Sequence, residues 1–344
     1  MKKGLLVKGM ALCAAAALTA GVAMAEEGAP KLSGKAYVAG HGGHLAVLNL
    51  ATGDLDRIVV TGAGGETEGK IAGLNLDPGH TSSGGGTHGQ AMVGRNMYIG
   101  LLNGKMMKYD LDKGELKDMG QIGNKFCGTV SGPGGNLYCE DMADGKVYVY
   151  DPSKDKAADV IPVGMSVCGI GWDKGDKHAF VSDMVQGKVF VLDWATKKSI
   201  KEIPIGTFIH QGRTNNDKTE FWVTSPNEFT VEKTGPVPNS VAGKGKSEVV
   251  IVDMAKMEVK DRIDFSGEQA YPHDLAFTPD GKYALITART YSDDSILLTV
   301  DTKTHKILGE KSLCKACHEP AGIKVKIDQG SPLLCGIEVD WSAK

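Results

Sequence analysis

The chain has 344 residues and a formal net charge of −3, which becomes −6 when the three lysines of its N-terminal leader are removed. That balance argues against a polyanion such as nucleic acid as a partner. Its 46 glycines fall between short β-branched runs rather than in one tail, the composition of a chain with many turns and many strands.

Residues 1–25 read as a secretory signal. Lys2, Lys3 and Lys8 form a basic start, Met10 to Ala20 an apolar stretch, and Ala23-Met24-Ala25 a small-residue cleavage site. Cleavage after Ala25 predicts a periplasmic protein, where disulfides are permitted. Cys13 is preceded by Ala11-Leu12, a poor lipoprotein box. No other run approaches the roughly 18–20 apolar residues of a membrane span, so none is expected.

The remainder, 26–344, is read as one all-β domain. A unit of strand, tight glycine turn and second strand ending in Asp recurs at roughly 40-residue spacing, most clearly at 136–151 and 178–193. Equivalent pairs occur at 35–50, 96–110, 220–253 and 282–301, each with a run before and a run after. Four strands per repeat without a convincing helix is the pattern of a β-propeller blade. With grammar such as Pro279-Asp280-Gly281-Lys282-Tyr283, the chain resembles the bacterial propellers built from Tyr-Val-Thr-Asn-type repeats. Relatives of that family include the heavy chains of quinoprotein amine dehydrogenases and the haem-carrying propeller of cytochrome cd1. The resemblance implies the fold and leaves the activity open.

Innermost strands are expected to begin just after His88, Cys127, Cys168, His210, His273 and His318, at spacings of 39, 41, 42, 63 and 45. Six starts imply six blades, closed by pairing 322–327 with the N-terminal strands of 35–60. Ser331 to Asp340 and Gly69 to Pro78 leave room for a seventh. Strand starts lie at one mouth of the axial channel, so these six metal-ligand side chains should form a ring. Taken singly, such a His more often bonds a neighbouring blade's backbone, and such a Cys is a small buried hydrophobe. Taken together, imidazole and thiolate are ligands of iron, copper and zinc. Cys127 and Cys168, on adjacent strands, also suit a disulfide, whereas Cys139 and Cys335 are expected as buried thiols on second strands.

Turns between second and third strands should surround the same mouth. They carry His41 and His44, Asp141-Met142, Asp183-Met184 and Arg289. The fifth turn is expanded across 225–247, as a cover or binding loop would be. Gly79 to His88, with its glycines and His80, reads mainly as linker. Asp110, Asp151, Asp193, Asp253 and Asp301 read as turn-closing residues.

The sharpest chemical signal is Cys314-Lys315-Ala316-Cys317-His318. Two thiols three apart followed by an imidazole are what covalent haem c attachment needs: two thioethers, with His318 as proximal iron ligand. A metal held without haem and a plain disulfide are the alternatives. Candidate distal or ring ligands are His88, Cys127, Cys168, His210, His273, His41, His44, Met142 and Met184. Two functions follow. One is an exported monohaem cytochrome exchanging electrons with a periplasmic partner protein. The other is a redox enzyme with an open haem, or a copper site in the ring, facing a small molecule. A propeller without cofactor would be a binding scaffold.

Overall fold

The computed structural model describes residues 30–40, 43–61, 66–67, 82–83, 86–227, 229–232, 239–242, 246–266, 270–290, 295–313 and 335–343. They form six four-stranded antiparallel sheets, the blades of a β-propeller. Blades two to six run outward in chain order, beginning with Thr87–Val93, Phe126–Ser131, Val167–Trp172, Gly212–Thr214 and Ala270–Phe277. Blade one takes its innermost strand, Ile337–Asp340, from the C-terminus and its other three, Lys35–Gly40, His44–Asn49 and Leu55–Val60, from the N-terminus.

The ring therefore closes as expected in kind but with a different strand. Ile337 pairs with Val38 and Asp340 with Lys35. Residues 322–327 lie outside the described residues. The strand read within 331–340 is the closing strand itself, so the described residues form six blades; residues 69–78 lie outside them.

Burial explains why the blades stack. Middle strands such as Glu248–Asp253 are buried on both faces, with Val249, Val250, Ile251 and Val252 all fully buried, whereas outer strands such as Lys198–Pro204 are largely exposed. A near-continuous apolar strand needs cover on both sides, and the neighbouring blades supply it. Each of the six interfaces has its own core: Leu45 with Met97 between blades one and two, Tyr98 with Leu137 between two and three, and Val147 with Val181 between three and four. Phe180 with Val250, Trp222 with Ile286, and Val38 with Leu285 complete the circuit. Each fully buried apolar side chain contributes roughly 1.5–3 kcal/mol.

At the axis the strands come closer than side chains allow. A Cβ on Gly89 would strike the backbone of Gly128, and one on Gly336 would lie 2.5 Å from the His88 carbonyl oxygen. Glycine is required there by contact, not by turn geometry. The expanded fifth turn contains its own two-stranded sheet, Phe229–Glu232 with Asn239–Ala242. Asp151, Asp193 and Asp301 close tight turns by accepting backbone N–H groups at 2.9, 2.8 and 2.6 Å, as expected.

Candidate metal centre on the propeller axis

Four of the ring residues sit on β-bulges. The ladder between first and second strands skips at His88, at Cys127, at Cys168-Gly169 and at His273. A bulge frees one residue from pairing and turns its side chain off the sheet plane, here at the strand ends nearest the axis. His210 reaches the same level from the segment before Gly212–Thr214. A sixth member among the described residues is Cys335, just before the closing strand; Cys314, Cys317 and His318 lie outside the described residues. Cys335 was expected on a second strand. It occupies the axis because the last strand of the chain is an innermost one.

The six side chains converge. One ligand atom each from His88, Cys127 and His210 lies within 4.8 Å of the others, and the same holds for His88, His273 and Cys335. The rings of His210 and His273 are 3.8 Å apart, centroid to centroid, and His88 stands 5.4 and 5.3 Å from them. Cys168 Sγ is 3.6 Å from His210 Nδ1. Cys127 and Cys168 are disulfide-bonded, with Cα atoms 5.0 Å apart, a separation ordinary for a disulfide. His88, His210 and His273 are each at most 7% exposed, and the three cysteines are fully buried.

The backbone under this ring is fastened blade to blade. His88 Nδ1 bonds the Cys127 carbonyl, which also accepts Gln211 Nε2 at 2.9 Å. Ser182 Oγ donates to the His210 carbonyl at 2.8 Å, Thr224 Oγ1 to that of His273 at 2.7 Å, and Thr287 Oγ1 to that of Cys335 at 3.0 Å. The Gly336 amide donates to the His88 carbonyl at 2.6 Å. Such outer contacts hold donor atoms in place before any ligand arrives.

Of the turn residues, Met142 and Met184 are buried in an apolar collar with Leu102, Val185 and Phe208 around Cys127 and Cys168. There they pack against the sulfurs. Asp141 accepts the Asn124 and Lys125 amides at 2.6 and 2.9 Å, and Asp183 accepts the Met165 and Ser166 amides at 2.6 and 3.1 Å. Both fix the chain entering the next blade. His41 lies outside the described residues, and His44 is described only as the strand partner of Gly40 and Val60. Cys139 is a buried thiol on a second strand, as expected.

A second polar group gathers in the same interior, and nothing in the linear sequence singles it out. Arg213 makes a two-pronged salt bridge to Asp274, at 3.1 and 2.9 Å, and Asp274 also accepts the Ile337 amide at 2.9 Å. Glu140 and Glu338 share that guanidinium's field. Burial opposes the charge on Arg213, but Asp274 beside it outweighs this and holds the guanidinium firmly protonated. Burial lifts Glu338 to about 7 and Glu140 to about 8, in each case against the pull of Arg213. Glu140 is fully buried, and neither of its oxygens completes a hydrogen bond of good geometry, although the Glu140 and Ile170 amides lie near enough to favour its charge slightly. Desolvation also lowers the Lys125 amine, beside Cys127, to about 8.

Glu140 is neutral in the folded chain and ionised in the unfolded chain between about pH 4.5 and 8. Folding takes up a proton in that window, so stability falls as pH rises through it. Glu140→Gln is expected to remove this loss. It should be close to neutral at pH 5 and stabilising at pH 8, by on the order of 2 kcal/mol. Urea midpoints at both pH values test this, and a pH-independent difference between the proteins would contradict it.

Fold and site together define a six-bladed β-propeller with a closed His/Cys ring on its axis. No protein-family model and no curated protein matches the sequence. Among solved structures, it is similar to hydrazine synthase of Kuenenia stuttgartiensis, with a TM-score of 0.50 and 16% identity over 66% of this chain and 64% of that one. It is similar also to the β-propeller domain of Cps50 (Swd1) from Myceliophteria thermophila, with a TM-score of 0.50 and 12% identity over 78% and 80%. The chain thus spans less than two thirds of the hydrazine synthase chain it matches. At these identities the likeness is one of fold.

Proposed function

We propose that this is an exported redox protein whose axial ring holds a transition-metal ion, with haem c carried separately on Cys314, Cys317 and His318. The observation that supports it most is the convergence of three imidazoles and three cysteine sulfurs in a buried, backbone-fastened ring. The donor set suits the group: the three imidazoles and the Cys335 thiol, bound as thiolate, are ligands of copper, zinc and iron, of which copper and iron are redox-active. Bound there, the ion would supply a one-electron couple or a Lewis-acidic position. The chain's own part is to hold the donors, with the His88 ring fixed by its Nδ1 contact to the Cys127 carbonyl, and to keep water from the sulfurs with Met142, Met184 and Phe208.

The haem assignment rests on the motif. Residues 314–334 lie outside the described residues. Electron exchange with a periplasmic redox partner is the role we propose, and turnover of a small molecule at the metal is the alternative. A second reading takes the ring as a structural lock, with a disulfide and histidines tying blades together; the His88 bond to the Cys127 carbonyl favours it.

Purified periplasmic protein separates these. The expected result is one haem by intact mass and pyridine haemochrome, lost in Cys317→Ala, and about one equivalent of metal, lost in the His88→Ala/His210→Ala double variant with haem retained. Wild-type protein without metal would leave the structural lock.

A further inference from the structure

The ring is not six equivalent donors. Cys127 and Cys168 are bonded to each other, which leaves His88, His210, His273 and Cys335. His88, His273 and Cys335 already present atoms within 4.8 Å of one another, and His210 lies against His273 and within the same distance of His88. Three nitrogens and one sulfur are the donor types of a four-coordinate site; no group pairs His210 with Cys335 within that distance, so His210 has to shift towards Cys335 for all four to share one ion. They also point to one ion rather than two, because His88 is shared by both donor groups and so places them around one point.

Resting on the metal-centre reading above, we propose that the axis holds one transition-metal ion on His88, His210, His273 and Cys335, capped by the Cys127–Cys168 disulfide, and that reduction of this disulfide converts the site to a thiolate-rich one. A dithiol reductant attacks one sulfur and breaks the S–S bond. Two electrons and two protons turn the pair into two thiols, and the reductant leaves as its own disulfide. The freed sulfurs stand where they can replace histidine nitrogens on the ion, since Cys127 belongs to a donor group with His88 and His210, and Cys168 Sγ lies 3.6 Å from His210. Each loses its proton to solvent on binding metal. The periplasm favours the capped form, so the His/Cys set is the resting one and the sulfur-rich set its reduced alternative.

Cobalt(II) titration of the full chain tests this, in a Cys314→Ala/Cys317→Ala background that removes the motif's thiols and haem absorbance. Disulfide-intact protein is expected to bind one cobalt with the near-ultraviolet band of a single cobalt–thiolate bond. After reduction and desalting the band should grow about two- to threefold, as up to two more sulfurs join. Cys335→Ser should abolish the band in the intact form. Cys127→Ser/Cys168→Ser should keep the single-thiolate band and lose the response to reductant, which keeps the test open if Cys335→Ser does not fold. Cobalt bound only after reduction, or an intact-form band indifferent to Cys335, would overturn the inference and leave the metal-centre reading standing. No cobalt in either form would overturn both.

Discussion

A chain ending at residue 334 is expected not to form the closed propeller. The final segment contributes far more than the four residues of Ile337–Asp340. Ile337 and Val339 are buried in the core between blades six and one, and Asp340 holds Arg95 of blade two at 2.7 Å. The Ile337 amide donates to Asp274, the Gly336 carbonyl accepts Gln90 Nε2 at 2.8 Å, and the Cys335 carbonyl accepts Thr287. Without it, blade one keeps three strands with an open inner edge, and two inter-blade cores meet water. Loss of several buried apolar groups and these hydrogen bonds is on the order of the whole stability of a domain, about 5–15 kcal/mol. The milder Ile337→Ala should cost about 2–5 kcal/mol. Calorimetry and gel filtration decide this: a truncated chain that melts cooperatively at the wild-type temperature would show that closure lies elsewhere.

Replacing Arg213 by Met is expected to destabilise by about 3–5 kcal/mol, because it leaves the fully buried Asp274 without its charge partner and removes the positive field shared by Glu140 and Glu338. Three carboxyls surround one guanidinium, so its loss is felt by all of them. The Arg213→Met/Asp274→Leu double variant should recover much of the loss, since a buried pair removed as a whole costs little. It will not recover everything, because the Ile337 amide then loses its acceptor. Chemical denaturation of the two singles and the double measures the coupling; additive effects would mean that the pair is not acting as one unit.

The six-blade architecture was legible in the sequence because the repeat is carried by turn chemistry. Asp151 and Asp193 close their hairpins as read, and the expanded turn of blade five lies where the spacing of 63 put it. Five of the six ring members were legible for the same reason. Cys335 was missed because the haem motif drew the last innermost strand to the residues after His318, whereas Ile337–Asp340 fills that place. A subtler signal marks Cys335: ring residues at 88, 127 and 168 are each followed by glycine, and so is Cys335, whereas Glu follows His318. The glycine is there because successive inner strands touch at that level. The buried cluster of Glu140, Arg213, Asp274 and Glu338 was not legible. Its members sit on three separate blades and the closing strand, and only closure of the ring brings them to one guanidinium.

The most direct measurement is X-ray absorption at the metal edge of protein purified from the periplasm. The account predicts about one transition-metal ion per chain, with nitrogen neighbours at about 2.0 Å and at least one sulfur at about 2.3 Å, in addition to any haem iron. A chain with no such ion, or with an ion surrounded by oxygen alone, would contradict it.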